Sequence, residues 1–174
     1  MTHDEMVTLI KDCVSGGGIW AEFGAGRGNF TRALATLLHS DATIYAIDRD
    51  DRALATLRDR WNSPVELRTL KANFTGDLDL PALDGVLMAN ALHFVLRQAR
   101  LLRRIHALLK QRGRLIVVEY DRRLPWTPYP VPYTRLDNLA AEAGFSHTQS
   151  IGQRTSPRNN VTMYAALSTD QTQC

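Results

Sequence analysis

Apolar residues recur along the chain with two different periods, and the switches between them mark out the elements. Ile19 to Phe23 is short and mostly apolar, as a buried strand would be, and three glycines at every second position follow it. Phe30, Leu34, Leu37 and Leu38 then recur at helical spacing, predicting a helix over about Gly28 to His39. Thr43 to Ile47 reads as a second strand ending at Asp48, and Leu54, Leu57 and Trp61 follow as a helix started by Asp50. Val65 to Leu70 is a third strand and Leu83 to Asn90 a fourth. Leu101, Leu102, Ile105, Leu108 and Leu109 form one helix face, which Gln111-Arg112-Gly113 is expected to close before a fifth strand, Arg114 to Tyr120. A last helix is expected over about Tyr133 to Ala143, ending at Gly144. Phe145 to Gly152 and Asn160 to Leu167 then read as an antiparallel pair. At the other end, Thr2-x-x-Glu5 is a capping-box pattern ahead of Met6, Leu9, Ile10, Cys13 and Val14, so a helix from Thr2 to Val14 is expected, stopped by Ser15-Gly16-Gly17-Gly18.

Strand and helix alternate through five strands before the closing hairpin, which implies an α/β fold: a doubly wound, Rossmann-like, mostly parallel sheet with helices on both faces. The 174 residues suffice for one domain and hardly for two, so residues 1–174 are taken as a single domain with a leading helix at 1–15 and a frayed tail at 168–174. At 44% hydrophobic and 22% charged the chain is of ordinary globular composition, and no apolar run reaches the roughly 18 residues of a membrane span. The N-terminus lacks the basic-then-apolar layout of a secretory signal, and Cys13 and Cys174 form neither a disulfide framework nor a metal-ligand spacing. A reducing cytoplasm is therefore the expected compartment. A net charge of +3 permits nucleic-acid contact without requiring it.

The chemistry concentrates at the first strand–turn–helix corner, where a ligand can approach the glycine backbone closely. A dinucleotide fingerprint, G-x-G-x-x-G, would place its third glycine at position 29, but that residue is Asn29. The stretch instead reads Glu22-x-Gly24-Ala25-Gly26-x-Gly28, which resembles the first motif of class I S-adenosylmethionine-dependent methyltransferases. The resemblance covers roughly residues 15–168, is closest in flavour to the small enzymes grouped with quinone biosynthesis, and implies a seven-stranded sheet with its last strand antiparallel. It also implies that Glu22 lies near the amino-acid end of S-adenosylmethionine. Asp48, at the tip of the second strand, is suited to accept hydrogen bonds from ribose hydroxyls. Its bland alternative is a helix N-cap, a duty for which Asp50 is better placed. Arg49 lies along the adenine face or is simply solvated. Where the family usually has an acid at the adenine edge this chain has Asn73, whose amide oxygen can accept from the adenine amino group, with the Phe74 amide as a donor beside it and Asp77 as a rival. Asn90-Ala91-Leu92-His93-Phe94 resembles the segment that faces both the methionine moiety and the acceptor, and Leu108-Leu109-Lys110-x-x-Gly113-x-Leu115 is a family signature. A leading helix in this family often lies across the cofactor, and the alternative is a helix that only covers one end of the sheet.

A base is required only if the acceptor arrives protonated, and His93 is the candidate by position. Its bland reading is a partly buried helix-start residue. Glu119 and Tyr120, at the tip of the fifth strand, are weaker candidates. The segment Asp121 to Pro132 holds four prolines and is read as a stiffened loop. Tyr120, Trp126 and Tyr129, with Tyr133, form either an acceptor wall or a small satellite core. No trio of acids or amides suggests a divalent metal, so none is expected. The favoured reaction is methyl transfer to a small-molecule acceptor. RNA or DNA methylation is the competitor, carried by Arg97, Arg100 and Arg104 with Arg154 and Arg158, although Asn90-Ala91-Leu92-His93 departs from the Asn/Asp-Pro-Pro-aromatic pattern of base-modifying relatives. A non-catalytic cofactor-binding module acting with a partner stands second, and a dinucleotide oxidoreductase third.

Overall fold

The computed structural model describes residues 1–14, 16–155 and 160–170. Ser15, the Ser156-Pro157-Arg158 part of the late connection and the tail from 171, with Cys174, lie outside the described residues. The first element, α1, covers His3–Ile10 and has the full capping box: the Thr2 hydroxyl accepts from the Glu5 N–H while the Glu5 carboxylate accepts from the Thr2 N–H. It ends earlier than Val14, in a single 3-10 turn at Lys11–Cys13. There follow β1 (Ile19–Phe23), α2 (Asn29–Leu37), β2 (Thr43–Asp48), α3 (Asp51–Asp59), β3 (Glu66–Lys71) and β4 (Leu83–Ala89). Then come α4 (Gln98–Leu108), β5 (Leu109–Tyr120), α5 (Tyr133–Ala143), β6 (His147–Thr155) and β7 (Thr162–Thr169).

The seven strands form one sheet in the order β3-β2-β1-β4-β5-β7-β6. β1 to β5 pair in parallel, and β7 runs antiparallel to both β5 and β6. Period-two alternation along the central strands feeds two cores. On one face Trp20, Ile44, Ile116 and Val118 pack with Leu9 and Ile10 of α1 and Phe30 and Leu34 of α2, while α3 adds Leu54 and Leu57 around Ala46. On the other, Ala21, Phe23, Met88, Val117 and Tyr164 pack with Leu102 and Ile105 of α4 and Leu136 and Ala140 of α5. From β1 the chain builds outward through β2 and β3, then returns to build β4 and β5 on the other side. This reversal opens a crevice at the carboxyl ends of β1 and β4, where open α/β sheets bind their ligands.

Two strand boundaries differ from the sequence reading. Gly113 does not close α4, which ends at Leu108 with the Leu109 N–H bonded back to Ile105 O and His106 O. β5 starts at once, and its register against β4 jumps from Leu83↔Leu109 to Gly85↔Arg114. The exposed Lys110, Gln111 and Arg112 thus belong to a polar overhang of a strand, which looks like a helix end when read by composition. The final hairpin lies two or three residues later than expected, taking Ser168 and Thr169 out of the tail and into β7. Among the described residues no helix is long and apolar enough to cross a membrane.

Candidate cofactor and acceptor site

β1 stops at Phe23 because the next backbone groups turn to the neighbouring strand: the Gly24 and Ala25 N–H groups both donate to Ile47 O, at 2.8 and 3.0 Å. Gly24 holds φ +84°, and a Cβ there would lie 2.7 Å from the Ala91 Cβ, so only glycine lets the turn pass the end of β4. The Gly26 N–H donates to Asp48 Oδ2 (2.8 Å) and the Gly28 N–H to Ala25 O (2.9 Å). Gly28, the N-cap of α2, takes φ +77°, with Leu57 packed where a side chain would go. The N–H groups at 24, 25 and 26 are therefore committed to β2 and that at 28 within the turn. Ala25 packs into the small core with Ala46, Leu54 and Leu57.

Asp48 ends β2 and is held by two backbone donors, Gly26 on one oxygen and Asp50 on the other at 2.9 Å. The helix-start duty belongs to Asp50, whose carboxylate takes the Arg52 and Ala53 N–H groups. Asp48 is thus left facing a cavity of about 460 Å³. Its walls are Gly24 from the turn, Asp48 and Arg49, the run Ala72 to Thr75, then Asn90, Ala91 and Phe94 to Leu96. Of the residues singled out from sequence, Gly24, Asp48, Arg49, Asn73, Phe74 and Asn90 line this space, while Glu22, Ala25, Gly26 and Gly28 do not. Asn73 has its amide oxygen engaged by the Thr75 N–H (3.1 Å) and hydroxyl (2.8 Å), so that oxygen is not free to meet an adenine amino group as expected and the NH2 is the group left to offer a ligand. Asp77 pairs instead with Arg104 at 3.3 Å.

Asn90 and Glu22 carry unusual chemistry. Asn90 holds φ +53°, the left-handed region that a side chain enters at a cost, while its N–H is bonded to Val118 O at 2.8 Å. Its Oδ1 is buried with no hydrogen-bond partner. An unpaired buried amide oxygen on a cavity wall is an acceptor waiting for a donor. Glu22 is 2% exposed under the turn and accepts from the Thr31 hydroxyl of α2. Burial pushes its carboxyl up to about 8, with the Thr31 bond acting against that shift and the Asp48 charge adding to it.

Beyond Ala91 the chain makes one 3-10 turn, Leu92–Phe94. His93, 2% exposed, points its Nδ1 at Glu119 Oε2 (2.8 Å), and its own N–H donates to Glu119 Oε1 (3.1 Å). The pair joins the end of β5 to the segment after β4, and Phe94 next to His93 lines the cavity while His93 itself does not. Tyr120 sits beside the His93 ring at 5.8 Å between centroids, with Trp126 edge-on to Tyr120 at 6.2 Å. Trp126 and Tyr129 are exposed, whereas Tyr133 turns away to pack on Tyr164 and so does not join the other three. Gln98 was not legible as a site-building residue, since a glutamine at a helix start reads as solvated. It is buried, donates to Tyr129 O (2.8 Å) and Leu92 O (3.3 Å), and accepts from the Arg135 guanidinium. Cys13 is no rival nucleophile, because burial pushes its thiol up to about 11. The leading helix α1 packs on α2 and β6 and contributes nothing to the cavity wall.

Residues 21–115 match a family described as a methyltransferase domain. No curated protein matches the chain. Among solved structures, the 1,6-didemethyltoxoflavin-N1-methyltransferase of Burkholderia thailandensis, holding 1,6-didemethyltoxoflavin and S-adenosylhomocysteine, is 20% identical with a TM-score of 0.73, over 95% of this chain and 76% of that one. An S-adenosylmethionine-dependent methyltransferase of Thermotoga maritima is 18% identical with a TM-score of 0.74, over 97% and 89%. A protein of Nostoc punctiforme PCC 73102 is 20% identical with a TM-score of 0.74, over 94% of this chain, which spans only 55% of that protein's length. At these identities the likeness is one of fold.

Proposed function

The chain belongs to the methyltransferase domain family, and on that premise we propose that it transfers the methyl group of S-adenosylmethionine to a small-molecule acceptor by in-line displacement. The observation that carries this is the pair of acceptors on the cavity wall at the strand-order reversal: the Asp48 carboxylate, fixed by two backbone donors, and the unpaired Asn90 Oδ1. S-adenosylmethionine supplies a methyl group already activated by its sulfonium. Asp48 takes the ribose hydroxyls, its remaining lone pairs being free of the Gly26 and Asp50 bonds. Asn90 Oδ1 accepts from the amino group of the methionine portion, which relieves its orphaned state. Phe74 and Arg49 flank the adenine, the Asn73 NH2 and the Phe74 N–H meet its edge, and Glu22 lies behind Gly24 toward the amino-acid end. Gly24, Ala25, Gly26 and Gly28 shape the turn against which the cofactor rests.

His93 is the base for an acceptor that arrives protonated. With Nδ1 held by Glu119, its Nε2 is the nitrogen that would take the proton; the acceptor's freed electron pair would bond to the methyl carbon as the sulfonium S–CH3 bond breaks, its electrons staying on sulfur. Tyr120, Trp126 and Tyr129 border the acceptor. The compartment we infer is the cytoplasm, where the buried Cys13 thiol stays reduced. Incubation with methyl-labelled S-adenosylmethionine, pooled small metabolites and pooled RNA tests the reading. Label should appear in the small organic fraction; label confined to RNA would replace the acceptor class, and Arg97, Arg100 and Arg104 would then be the residues to examine.

A further inference from the structure

The exposed large apolar side chains of the described residues are gathered, not scattered. Apart from Met1 they fall in two short segments, Phe94 with Leu96 and Trp126 with Tyr129, at 61, 68, 49 and 37% exposure. The segments are fastened together, because the Tyr129 N–H donates to His93 O at 3.0 Å and Gln98 ties Tyr129 O to Leu92 O. Between them the rings form a continuous run, with centroid steps of 4.1 Å from Phe94 to His93, 5.8 Å to Tyr120 and 6.2 Å to Trp126. One end of the run, Phe94, is part of the cavity wall, and the other is carried on the proline-stiffened loop.

A patch of this kind marks a surface that something covers. The occupant follows from continuity: whatever lies on the run has one edge at the wall of the methyl-donor cavity, through Phe94 and Leu96. The rings are also tilted or edge-on to one another, by 46, 51 and 82°; Phe94 and Trp126 are exposed at the two ends, Tyr120 is half-buried, and His93 is the buried link between them. A ring laid on such a surface gains attraction beyond its area, roughly two- to tenfold in affinity for each ring pair, and a saturated molecule of the same size does not. We propose that Phe94, Tyr120 and Trp126, bridged by the buried His93 ring, are the acceptor platform and that the acceptor is a flat aromatic molecule. This deepens the methyl-transfer reading and rests on it. Gln98, Thr127 and the loop prolines keep the platform in place before the acceptor arrives, so little ordering cost is left for binding.

The test is titration of the full chain, loaded with S-adenosylhomocysteine, with 1-naphthol and with decahydro-1-naphthol, which share a carbon skeleton and a hydroxyl but differ in aromaticity. The wild type should bind 1-naphthol at least about tenfold more tightly. Phe94→Leu and Trp126→Leu keep apolar volume and remove the rings; each should weaken 1-naphthol by about three- to tenfold while changing the saturated alcohol less than about twofold. Equal affinities in the wild type, a preference that survives both substitutions, or no binding of either alcohol would overturn the platform. So would sedimentation showing that the patch is covered by a second copy of the chain at the assay concentration. Failure of S-adenosylhomocysteine to bind strikes the methyl-transfer reading itself and takes the platform with it; failure of the alcohol comparison with the sulfur ligand bound strikes the platform alone.

Discussion

Asn90 occupies a backbone conformation that glycine would adopt more easily, so its side chain must offset a local cost. The unpaired Oδ1 supplies the reason if a ligand donor satisfies it. Asn90→Gly should therefore leave the thermal midpoint unchanged or raised, while weakening S-adenosylhomocysteine by about 1–2 kcal/mol, or roughly five- to thirtyfold. Equal affinity with equal stability would assign the asparagine no role in binding. Glu22 gives a prediction that is independent of any ligand. Its carboxyl is raised to about 8 in the fold, so the folded state holds a proton that the unfolded chain releases near its ordinary value of 4.5. That contribution to stability is complete below about pH 4.5 and is lost as pH climbs through 8. Over this window the wild type should lose up to about 1.4 kcal/mol per pH unit relative to Glu22→Gln, which carries no titrating proton there. Denaturant midpoints at pH 5, 6, 7 and 8 decide it: parallel curves for the two proteins would mean that Glu22 is already ionised in the fold.

The loop from Asp121 to Pro132 shows what the sequence could and could not tell about an element. Its prolines made a stiff connection legible, and Pro132 does lead directly into α5. They gave no sign of what holds the loop down. Most of the holding is done by polar groups far away in sequence, Gln98 on Tyr129 O and the Tyr164 hydroxyl on Val131 O at 2.6 Å, with the loop's own Thr127 hydroxyl on both backbone groups of Leu124. Gln98→Leu would strip partners from Tyr129 O, Leu92 O and the Arg135 guanidinium together, so it should destabilise the fold by about 1–3 kcal/mol. It should also raise hydrogen exchange at Tyr129, whose N–H bond to His93 O depends on the same anchoring. An unchanged melting midpoint with unchanged exchange would contradict this. The start of β5 failed to show in the sequence for a related reason. A polar strand overhang and a polar helix end have the same composition, and only the register break against Leu83 and Gly85 separates them.

At the scale of the whole molecule, apolar periodicity and glycine placement made the parallel sheet readable, because five strands with intervening helices leave few topologies open. The glycine turn and Asp48 were readable together, since one short corner of the chain contains both. The His93–Glu119 pair was only half readable: each residue was singled out, but their bond spans 26 positions and depends on β4 and β5 being neighbours. The ring run that extends from it was readable only as separate residues, because it combines a turn, a strand end and a loop.

The account rests on a cavity built for an adenosine-bearing sulfur cofactor, and calorimetric titration with S-adenosylmethionine, S-adenosylhomocysteine and NAD tests that most directly. Both sulfur ligands should bind, NAD should not, and Asp48→Ala should weaken the sulfur ligands by about 1 kcal/mol or more. Binding of NAD without either sulfur ligand, or sulfur-ligand affinities indifferent to Asp48→Ala, would contradict it.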